Sequence, residues 1–324
     1  MQVFRKLDDI PAGFGPTILS VGNFDGVHRA HRHVIRVIAE RAHSNGYKSM
    51  AVTFEPHPTR ILRPDVAPKL ITPTDAKLRL LEAAGLDTVL VLPFTRDLSL
   101  MRPVDFARDV LVHTVNAREI HEGFNFHFGH KAEGNVQRLT QIGREFGFDV
   151  VVYQPMKLRG HVVSSSEIRQ LIAAGKISRA RALLGRPFSI LGTPGRGRGY
   201  GHRYTVPTIN FARYEELVPG NGVYITQIRV GSECFDSVTN VGVRPTFGPD
   251  SFAIETHILD FHPIELTAET PLELIFFKRL RDEVKFPSTA ALREQIGKDV
   301  QRTRRFFEHA SHLATASLDT SHGS

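Results

Sequence analysis

Short apolar runs alternate with helical patterns through the first half of the chain, and this alternation stops near residue 185. The runs are rich in Val, Ile and Leu and bounded by Gly, Asn, Asp or Pro, which is typical of buried strands. Between them, apolar residues recur at helical spacing, as in Val34, Ile35, Ile38 and Ala42. A strand–helix–strand repeat predicts a parallel sheet with helices on both faces and a ligand crevice at the carboxyl ends of its strands. The predicted strands are Thr17–Val21, Ser49–Phe54, Thr88–Phe94, Arg118–His121 and Asp149–Tyr153.

Beyond Gly185-Arg186-Pro187 the chain carries strands without helix-length segments between them. Glycine is dense from residue 192 to residue 201, and four apolar runs follow with short connections. This pattern predicts a small antiparallel barrel as a second domain, over residues 186–310, after a first domain over residues 1–185. The predicted strands are Val223–Val230, Phe235–Val241, Ile254–Leu259 and Leu272–Phe277.

One long helix is predicted to close the barrel, from Thr289 to about Ala310. Leu292, Ile296 and Val300 lie along one side of it. The tail from residue 311 to residue 324 has no periodicity and is predicted to be disordered.

The composition is that of an ordinary globular chain of 324 residues, with 41% hydrophobic and 23% charged residues. No apolar run is long enough to cross a bilayer, so we expect no membrane association. The single cysteine, Cys234, excludes an intrachain disulfide and a zinc–thiolate cluster, which favours a cytoplasmic location. A net charge of +7 suits polyanionic ligands, whether nucleotides or nucleic acid.

The segment GNFDGVHRAH (residues 22–31) leads from the first predicted strand into a helix. Gly22 and Gly26 let the backbone turn tightly and approach a phosphate, and the helix N-terminus supplies amide donors. His28 and His31 are three residues apart, so they project to the same side of a helical turn, where two imidazoles can hydrogen-bond a phosphoryl group. We predict these histidines as the catalytic residues of a nucleotidyl-transfer site. The predicted nucleotide-binding residues of the segment are Gly22, Asn23, Phe24, Asp25 and Gly26.

A second segment, VSSSEIR (residues 163–169), places hydroxyl groups and Arg169 at the start of a helix. The hydroxyls and the guanidinium could hold a leaving pyrophosphate. An ordinary helix cap explains the same serines, and the segment alone is a weak indication of function. The predicted ligands are Ser164, Ser165, Ser166 and Arg169.

In the second half, a glycine-rich cationic loop (residues 195–203) is followed by Val206-Pro207-Thr208-Ile209-Asn210. The residues alone allow two interpretations, an RNA-binding arginine–glycine segment or a flap that cradles phosphates. The flap is favoured because the loop is short and enters a strand. Gly197 and Gly199 are then predicted to contact ATP. Thr208 is predicted to ligate a Mg²⁺ that bridges the phosphates, with Asn210 in support.

Glu255, His257 and Leu259 alternate along a predicted strand and therefore share one face. Glu255 is a candidate general base. A surface glutamate at a sheet edge is the alternative, and the spacing alone favours that alternative.

The segment GNFDGVHRAH resembles the GxFDGxHxGH signature of the bacterial bifunctional riboflavin kinase/FMN adenylyltransferase family, also called FAD synthetases, and VSSSEIR is similar to the family's VSSTxIR. Ala30 replaces the glycine of the family's HxGH core. TFEPHP (residues 53–58) and GFNFHFG (residues 123–129) resemble two further family segments, which line the flavin and ATP pockets. The resemblance implies a flavin site at Phe54, Pro56, Pro58 and Phe128 and an ATP contact at Asn125.

The second half resembles the riboflavin kinase module of the same family. PTIN (residues 207–210) is similar to the family's PTAN, and NVGVRPTF (residues 240–247) to its NxGxRPTF. IETHILDF resembles the stretch that carries the catalytic glutamate, which implies that role for Glu255, and LRDEVKF resembles a flavin-side segment that includes Arg281. The chain departs from the family just before PTIN, at His202, Thr205 and Val206.

The resemblance implies a Rossmann-like nucleotidyltransferase domain followed by a riboflavin-kinase-type barrel. It also implies the reaction of riboflavin with Mg·ATP to give FMN, then of FMN with ATP to give FAD and pyrophosphate, without an obligate protein partner. Two alternatives stay open: an adenylyltransferase whose barrel binds flavin with weak or no kinase activity, and, more remotely, a basic nucleic-acid-binding protein.

Overall fold

The computed structural model describes residues 1–195, 208–243, 252–262 and 266–319. The elements of the first half are β1 (Gln2–Phe4), β2 (Thr17–Val21), α1 (Arg29–Ser44), β3 (Lys48–Glu55), α2 (Pro58–Leu62), α3 (Thr74–Ala83), β4 (Thr88–Pro93), α4 (Arg96–Leu100), α5 (Pro103–Asp105), which continues into a π-helix (Phe106–Thr114), β5 (Ala117–Gly123), β6 (His127–Phe128), β7 (Gly134–Asn135), α6 (Val136–Phe146), β8 (Asp149–Tyr153), β9 (Lys157–Leu158) and β10 (His161–Val162). The elements of the second half are α7 (Ser165–Ala173), α8 (Ile177–Leu184), β11 (Phe188–Gly192), β12 (Thr208–Asn210), β13 (Gly222–Val230), β14 (Glu233–Val243), β15 (Phe252–Ile258), β16 (Leu272–Arg281) and α9 (Thr289–Asp319).

Six strands form a parallel sheet in the first half, in the order β1-β4-β3-β2-β5-β8. This confirms the predicted architecture, and β2 and β8 have the predicted bounds. The chain builds outward from β2 through β3 and β4, then returns to place β5 on the other side of β2. In such sheets, ligands bind outside the carboxyl ends of the strands where the direction of building reverses, which here is between β2 and β5.

Helices cover both faces of this sheet. Ile18 and Val89 pack in one apolar core with residues of α1 and α3. Their neighbours Leu19 and Leu90 point the opposite way, into a core with the π-helix and α6. Burial on both faces explains why the strands are continuous apolar runs rather than alternating ones.

A buried carboxyl group separates β2 from β5 at the point where the sheet reverses. The pairing of the two strands ends at Leu19 and Ile120. Beyond this point, Val21 is the next residue of β2 whose N–H points toward β5. This N–H donates to the Glu122 side chain at 2.6 Å instead of to a backbone carbonyl. The Ser20 hydroxyl donates to the same oxygen at 3.4 Å. The side chain therefore occupies a place in the ladder and leaves the end of β2 free to enter the loop at residue 22.

Glu122→Gln is expected to make the free energy of unfolding of the first half of the chain less dependent on alkaline pH. Burial raises the pKa of Glu122 well above its ordinary value of 4.5. A raised folded-state pKa means that the group stabilises the fold below the unfolded-state pKa and loses this contribution as pH rises through the folded-state value. Glutamine stays neutral, so the free energy of unfolding of the variant should exceed that of the parent at pH 8 by more than at pH 5. Urea unfolding at both pH values measures this difference, with the exposed Glu145→Gln as control. Parallel pH dependences in the variant and the parent would contradict it.

The second half forms an antiparallel sheet in the order β11-β16-β13-β14-β15-β12. Its two edges are joined by backbone hydrogen bonds, in which Gly195 N donates to Asn210 O at 2.7 Å and Ala212 N donates to Thr193 O at 2.9 Å. This confirms the predicted antiparallel sheet. Helix α9 packs against β14.

A row of hydroxyl groups crosses the interior of this sheet. Thr226 bonds to Ser237 at 2.8 Å and to Thr239 at 2.7 Å, and Thr239 bonds to Thr256 at 3.0 Å. All four side chains are fully buried, so each needs the partner that the strand register gives it. Because side chains alternate along a strand, Glu255 lies on the opposite, outer face of β15.

Helix α9 continues to Asp319, past the predicted end near Ala310 and into the tail predicted to be disordered. The continuing segment contains leucine and alanine, which have high helix propensity and can extend a helix that tertiary packing has already started. Apolar periodicity does not detect such an extension.

The described residues divide into two compact units, Met1–Glu167 and Ile168–Ser324. The sequence places the boundary later, after Gly185. The difference arises because α8 packs against β11 and β16, with the Arg181 guanidinium 5.9 Å from the centre of the Phe277 ring. Within the described ranges, no helix is both long enough and apolar enough to cross a membrane.

Candidate active sites

The loop between β2 and α1 requires left-handed backbone at three residues. The angle φ is +48° at Phe24, +82° at Gly26 and +36° at Val27. Glycine adopts this conformation without strain, whereas Phe24 and Val27 are held in it by burial. Ala30 lies in the first turn of α1, where a helical backbone suits alanine as well as glycine.

The two predicted catalytic histidines are stacked on each other at the N-terminus of α1. Their ring centres lie 3.6 Å apart, with 16° between the ring planes. His28 caps the helix, since its Nδ1 accepts the backbone N–H of His31 at 3.4 Å. Among the described residues, Nδ1 of His31 is buried without a hydrogen-bond partner. The pair therefore combines an imidazole fixed by the helix with a second one that can still bond a ligand.

The charge state of this pair is set by its surroundings. Burial lowers the pKa of His31 well below 6.5, and the neighbouring His28 and the positive charge of Lys77 lower it further. His31 is therefore a neutral imidazole near pH 7 when no anion is bound. An incoming phosphate would stabilise the protonated form, which is a stronger hydrogen-bond donor.

Asp25 fixes the loop rather than presenting a free carboxylate. Its oxygens accept the backbone N–H groups of Ile71 at 3.1 Å and Thr72 at 3.0 Å. Its backbone carbonyl accepts the hydroxyl of Ser165 at 2.8 Å. The structure thus brings one serine of the VSSSEIR segment to the GNFDG loop, although 140 residues separate the two in sequence.

The remaining hydroxyls of that segment lie at the start of α7. Ser164 accepts the backbone N–H of Glu167 at 3.3 Å, so it acts as the helix cap that the sequence allowed as an alternative. Ser166 lies in the first turn, and Arg169 follows on the same helix, beyond the division between the two units.

A buried lysine, Lys77, was missed by the sequence analysis. It lies on α3 and is only 6% exposed. Its ammonium group donates to the hydroxyl of Thr53 at 3.0 Å and to the carbonyl of Asn23 at 3.3 Å. Lysine on an amphipathic helix normally faces solvent, so nothing in the sequence pattern marks this one as part of the site.

The two aromatic residues predicted for flavin binding belong to one apolar cluster but differ in burial. Phe54 is partly buried and packs edge-on against Phe94, with ring centres 5.7 Å apart. Phe128 is 9% exposed and belongs to the core, stacked on Phe126 with ring centres 5.3 Å apart. Phe128 therefore offers little surface to a ligand, whereas Phe124, which the sequence analysis did not select, is 49% exposed.

The other residues selected in these segments lie in exposed or turning backbone. Pro56 follows β3, and Pro58 begins α2. Asn125 is exposed, and its carbonyl accepts a hydrogen bond from Nδ1 of His127 at 2.9 Å.

The kinase candidates come together on the outer face of the second sheet. Asn210 on β12 pairs with Glu255 on β15, which in turn pairs with Asn240 on β14. In the next row, Thr208 pairs with His257. Paired residues of neighbouring strands project from the same face. The Glu255 carboxylate therefore lies between the amides of Asn210 and Asn240, and β12 also carries the hydroxyl of Thr208.

Burial lowers the pKa of His257 below 6.5, so this residue is uncharged near pH 7. It therefore adds no positive charge to the row. Gly197, Gly199 and the flap residues His202, Thr205 and Val206 lie outside the described residues.

Two residues at this face differ from what the sequence predicted. Asn240 was not selected as a site residue, yet it neighbours Glu255, and its amide donates to Glu283 at 3.5 Å. Arg281, selected for flavin, instead forms an ion pair with Asp299 of α9 at 2.8 Å, and Asp299 is 1% exposed. The guanidinium thus has a buried structural partner, and its contact with flavin stays a prediction.

Comparisons with known proteins address both halves of the chain. A family model described as FAD synthetase matches residues 12–167, and one described as riboflavin kinase matches residues 184–307. A bifunctional riboflavin kinase/FMN adenylyltransferase from Pseudomonas fluorescens is 33% identical over 96% of this chain and 100% of its own length. The enzyme of the same description from Escherichia coli K12 is 33% identical over 90% of this chain and 92% of its own length.

The chain belongs to the bifunctional riboflavin kinase/FMN adenylyltransferase family. As a member, it phosphorylates riboflavin to FMN and adenylates FMN to FAD. The match to the riboflavin kinase model means that an adenylyltransferase with an inactive barrel is not favoured. A crystal structure of a protein from Streptococcus pneumoniae, described as a macrolide-efflux protein, superposes with a TM-score of 0.83 at 24% identity, over 93% of this chain and 98% of that one. At this identity the likeness concerns the fold alone.

Proposed function

We propose that riboflavin is phosphorylated on the outer face of the second sheet, with Glu255 as the general base. The observation that carries this proposal is the row Asn210–Glu255–Asn240, in which the carboxylate lies between two amides on three adjacent strands. The carboxylate takes the proton of the riboflavin 5′-hydroxyl as that oxygen attacks the γ-phosphate of ATP, and ADP leaves. The amides orient the carboxylate and the substrate.

In our proposal, this site would hold a Mg²⁺ that accompanies ATP, and the cation would neutralise charge on the phosphates. Thr208 and Asn210 supply the neutral oxygen ligands that a hard cation accepts, and both belong to the strand that borders Glu255. No cluster of three histidine, cysteine or acidic residues suited to a metal occurs in the described part of the chain. Such a donor set fits a cation held mainly by phosphates and water, as Mg²⁺ is at many nucleotide sites.

Thr208→Ala is expected to raise the Mg²⁺ and ATP concentrations needed for half-maximal FMN formation by about tenfold, since it removes one hard oxygen ligand and leaves the proton acceptor in place. Steady-state kinetics over a Mg²⁺ titration measure this shift. FAD formation from added FMN should not change. The exposed Thr267→Ala is the control, and equal Mg²⁺ dependence in both variants would contradict the assignment.

FMN is adenylated, in our proposal, at the carboxyl ends of β2 and β5 in the first domain. The FMN phosphate attacks the α-phosphate of a second ATP, and pyrophosphate leaves without a covalent enzyme intermediate. The stacked imidazoles of His28 and His31 support this assignment, because they lie at a helix N-terminus where the sheet reverses. The loop of residues 22–26, Asn125 and the α7 hydroxyls then hold ATP, and Phe54, Pro56 and Pro58 border the flavin.

The division of labour between residues 1–185 and 186–310, and the cytoplasmic location, also stay proposals. Incubation of the full-length protein with riboflavin, ATP and Mg²⁺, followed by chromatographic separation of FMN and FAD, tests the two reactions together. Omitting riboflavin and adding FMN isolates the second reaction. Absence of both FMN and FAD in the first assay, with FAD formed in the second, would restrict the protein to adenylyl transfer.

A further inference from the structure

Lys77 is a buried charge at the adenylyl-transfer site with no assigned role. Its side chain is 6% exposed, and its ammonium group donates hydrogen bonds to a hydroxyl and a backbone carbonyl. No carboxylate of the described residues forms an ion pair with its Nζ. Burial of an ammonium group is unfavourable for folding, and the nearby carboxylates of Glu55 and Asp25 offset its lost hydration only in part.

The contacts of Lys77 point directly at the strained loop. Its ammonium group and the Thr53 hydroxyl both donate to the carbonyl of Asn23, at 3.3 Å each. Asn23 precedes Phe24, one of the residues held at positive φ. The lysine therefore restrains the peptide group at which the backbone leaves β2 and turns toward the histidines.

The charge of Lys77 also reaches the histidine pair. Together with burial and His28, it lowers the pKa of His31. Burial lowers the pKa of Lys77 itself, while the carboxylates of Glu55 and Asp25 oppose that shift. Asp25 already accepts two backbone N–H groups, so the positive potential of the lysine is only partly offset on the side of the loop.

We propose that Lys77 is a positioning residue for adenylyl transfer, which anchors the Asn23 carbonyl and places its ammonium group beside the loop that leads to the His28–His31 pair. This inference rests on the proposed assignment of adenylyl transfer to that pair. The polyphosphate of ATP is the anion that would balance this charge. Lys77 thus favours the phosphates when they bind, and it adds to the effects of burial and of His28 that lower the pKa of His31 before then.

Lys77→Met, which keeps length and apolar bulk but removes the charge, tests the proposal in the full-length protein. We expect the kcat for conversion of FMN to FAD to fall by about 10–100-fold, the scale of lost positioning. The inflection of the pH–rate profile that reports His31 should move to higher pH, because a neighbouring positive charge has been removed. Lys77→Arg should restore part of the rate and leave the inflection at the parental pH. Lys157→Met, at an exposed position in the same unit, is the matched control.

The outcomes separate this inference from the proposed site. If the parental protein forms FAD but the double alanine variant of His28 and His31 does so equally well, the site assignment is wrong. If the site assignment holds and Lys77→Met keeps the parental rate and pH profile, the positioning role proposed for Lys77 is wrong. Lys77→Met could also be slower while the inflection of its pH–rate profile stays at the parental pH and Lys77→Arg fails to restore the rate. That result would show that Lys77 contributes only to packing. If Lys77→Met does not fold, Lys77→Gln replaces it, and failure of both to fold would likewise assign Lys77 to stability alone.

Discussion

Replacing His28 and His31 together by alanine is expected to abolish FAD formation while riboflavin phosphorylation continues. Each imidazole is placed to donate to a phosphoryl group as charge develops in the transition state, and removal of one such donor typically costs about 10²-fold or more in rate. The two rings are stacked at 3.6 Å and act on one group, so the losses need not multiply fully. Chromatography after incubation with FMN, ATP and Mg²⁺ measures FAD directly, and riboflavin with ATP tests the other reaction in the same preparation.

A structural loss must be separated from a catalytic one in this experiment. Alanine at position 28 also removes the cap of α1, which is worth about 1 kcal/mol. His28→Asn retains a cap acceptor without an imidazole, so it should keep the parental thermal unfolding temperature and still lose FAD formation. The double replacement of the exposed His43 and His113 by alanine controls for loss of two histidines. Near-normal FAD yield from the His28/His31 double variant would place the transfer site elsewhere.

The parallel sheet could be predicted from sequence because its signal is local. The central strand Thr17–Val21 is buried on both faces and appears as a continuous apolar run, whereas the edge strand Asp149–Tyr153 is only partly buried but carries three consecutive valines; the predicted bounds of both strands are confirmed. The spacing of His28 and His31 likewise depends only on helix geometry, and the structure stacks them on one turn.

The parts that could not be predicted depend on contacts between distant segments. The burial of Lys77 is decided by α3 packing under the loop of residues 22–26, and the ion pair of Arg281 is decided by α9. Phe124 and Phe128 are both phenylalanines of one short segment, yet Phe128 lies in the core and Phe124 is exposed. Residue type and periodicity assign a face to a side chain, but they do not say what covers that face.

The importance of Asn240 depends on register in the same way. Its position beside Glu255 follows from how β14 pairs with β15, and β12 adds Asn210 on the other side. A shift of one residue would send Glu255 into the interior that Thr239 and Thr256 occupy. The buried hydroxyl row therefore helps to hold the register that assembles the kinase candidates.

Glu255→Gln is expected to lower the rate of FMN formation by about 10²–10⁴-fold, the usual contribution of general-base catalysis. Glutamine keeps the shape of the side chain and its hydrogen bonding to neighbouring amides, but it cannot accept the proton of the riboflavin 5′-hydroxyl. Riboflavin binding should therefore change little, and the loss should appear in kcat rather than in KM. Added FMN should still be converted to FAD, because the histidines proposed to catalyse adenylyl transfer lie in the other unit.

Glu269→Gln, a substitution in an exposed turn of the same unit, controls for the change of charge. Riboflavin binding measured by flavin fluorescence separates binding from catalysis, and single-turnover formation of FMN measures the chemical step. Unchanged phosphorylation by Glu255→Gln would make Glu255 a strand residue without a catalytic role. The base would then be sought at His257, which shares its face and whose pKa is lowered by burial, so it is a neutral imidazole near pH 7 that can take up a proton. In that case His257→Gln, with Glu255 intact, should be the variant that loses FMN formation.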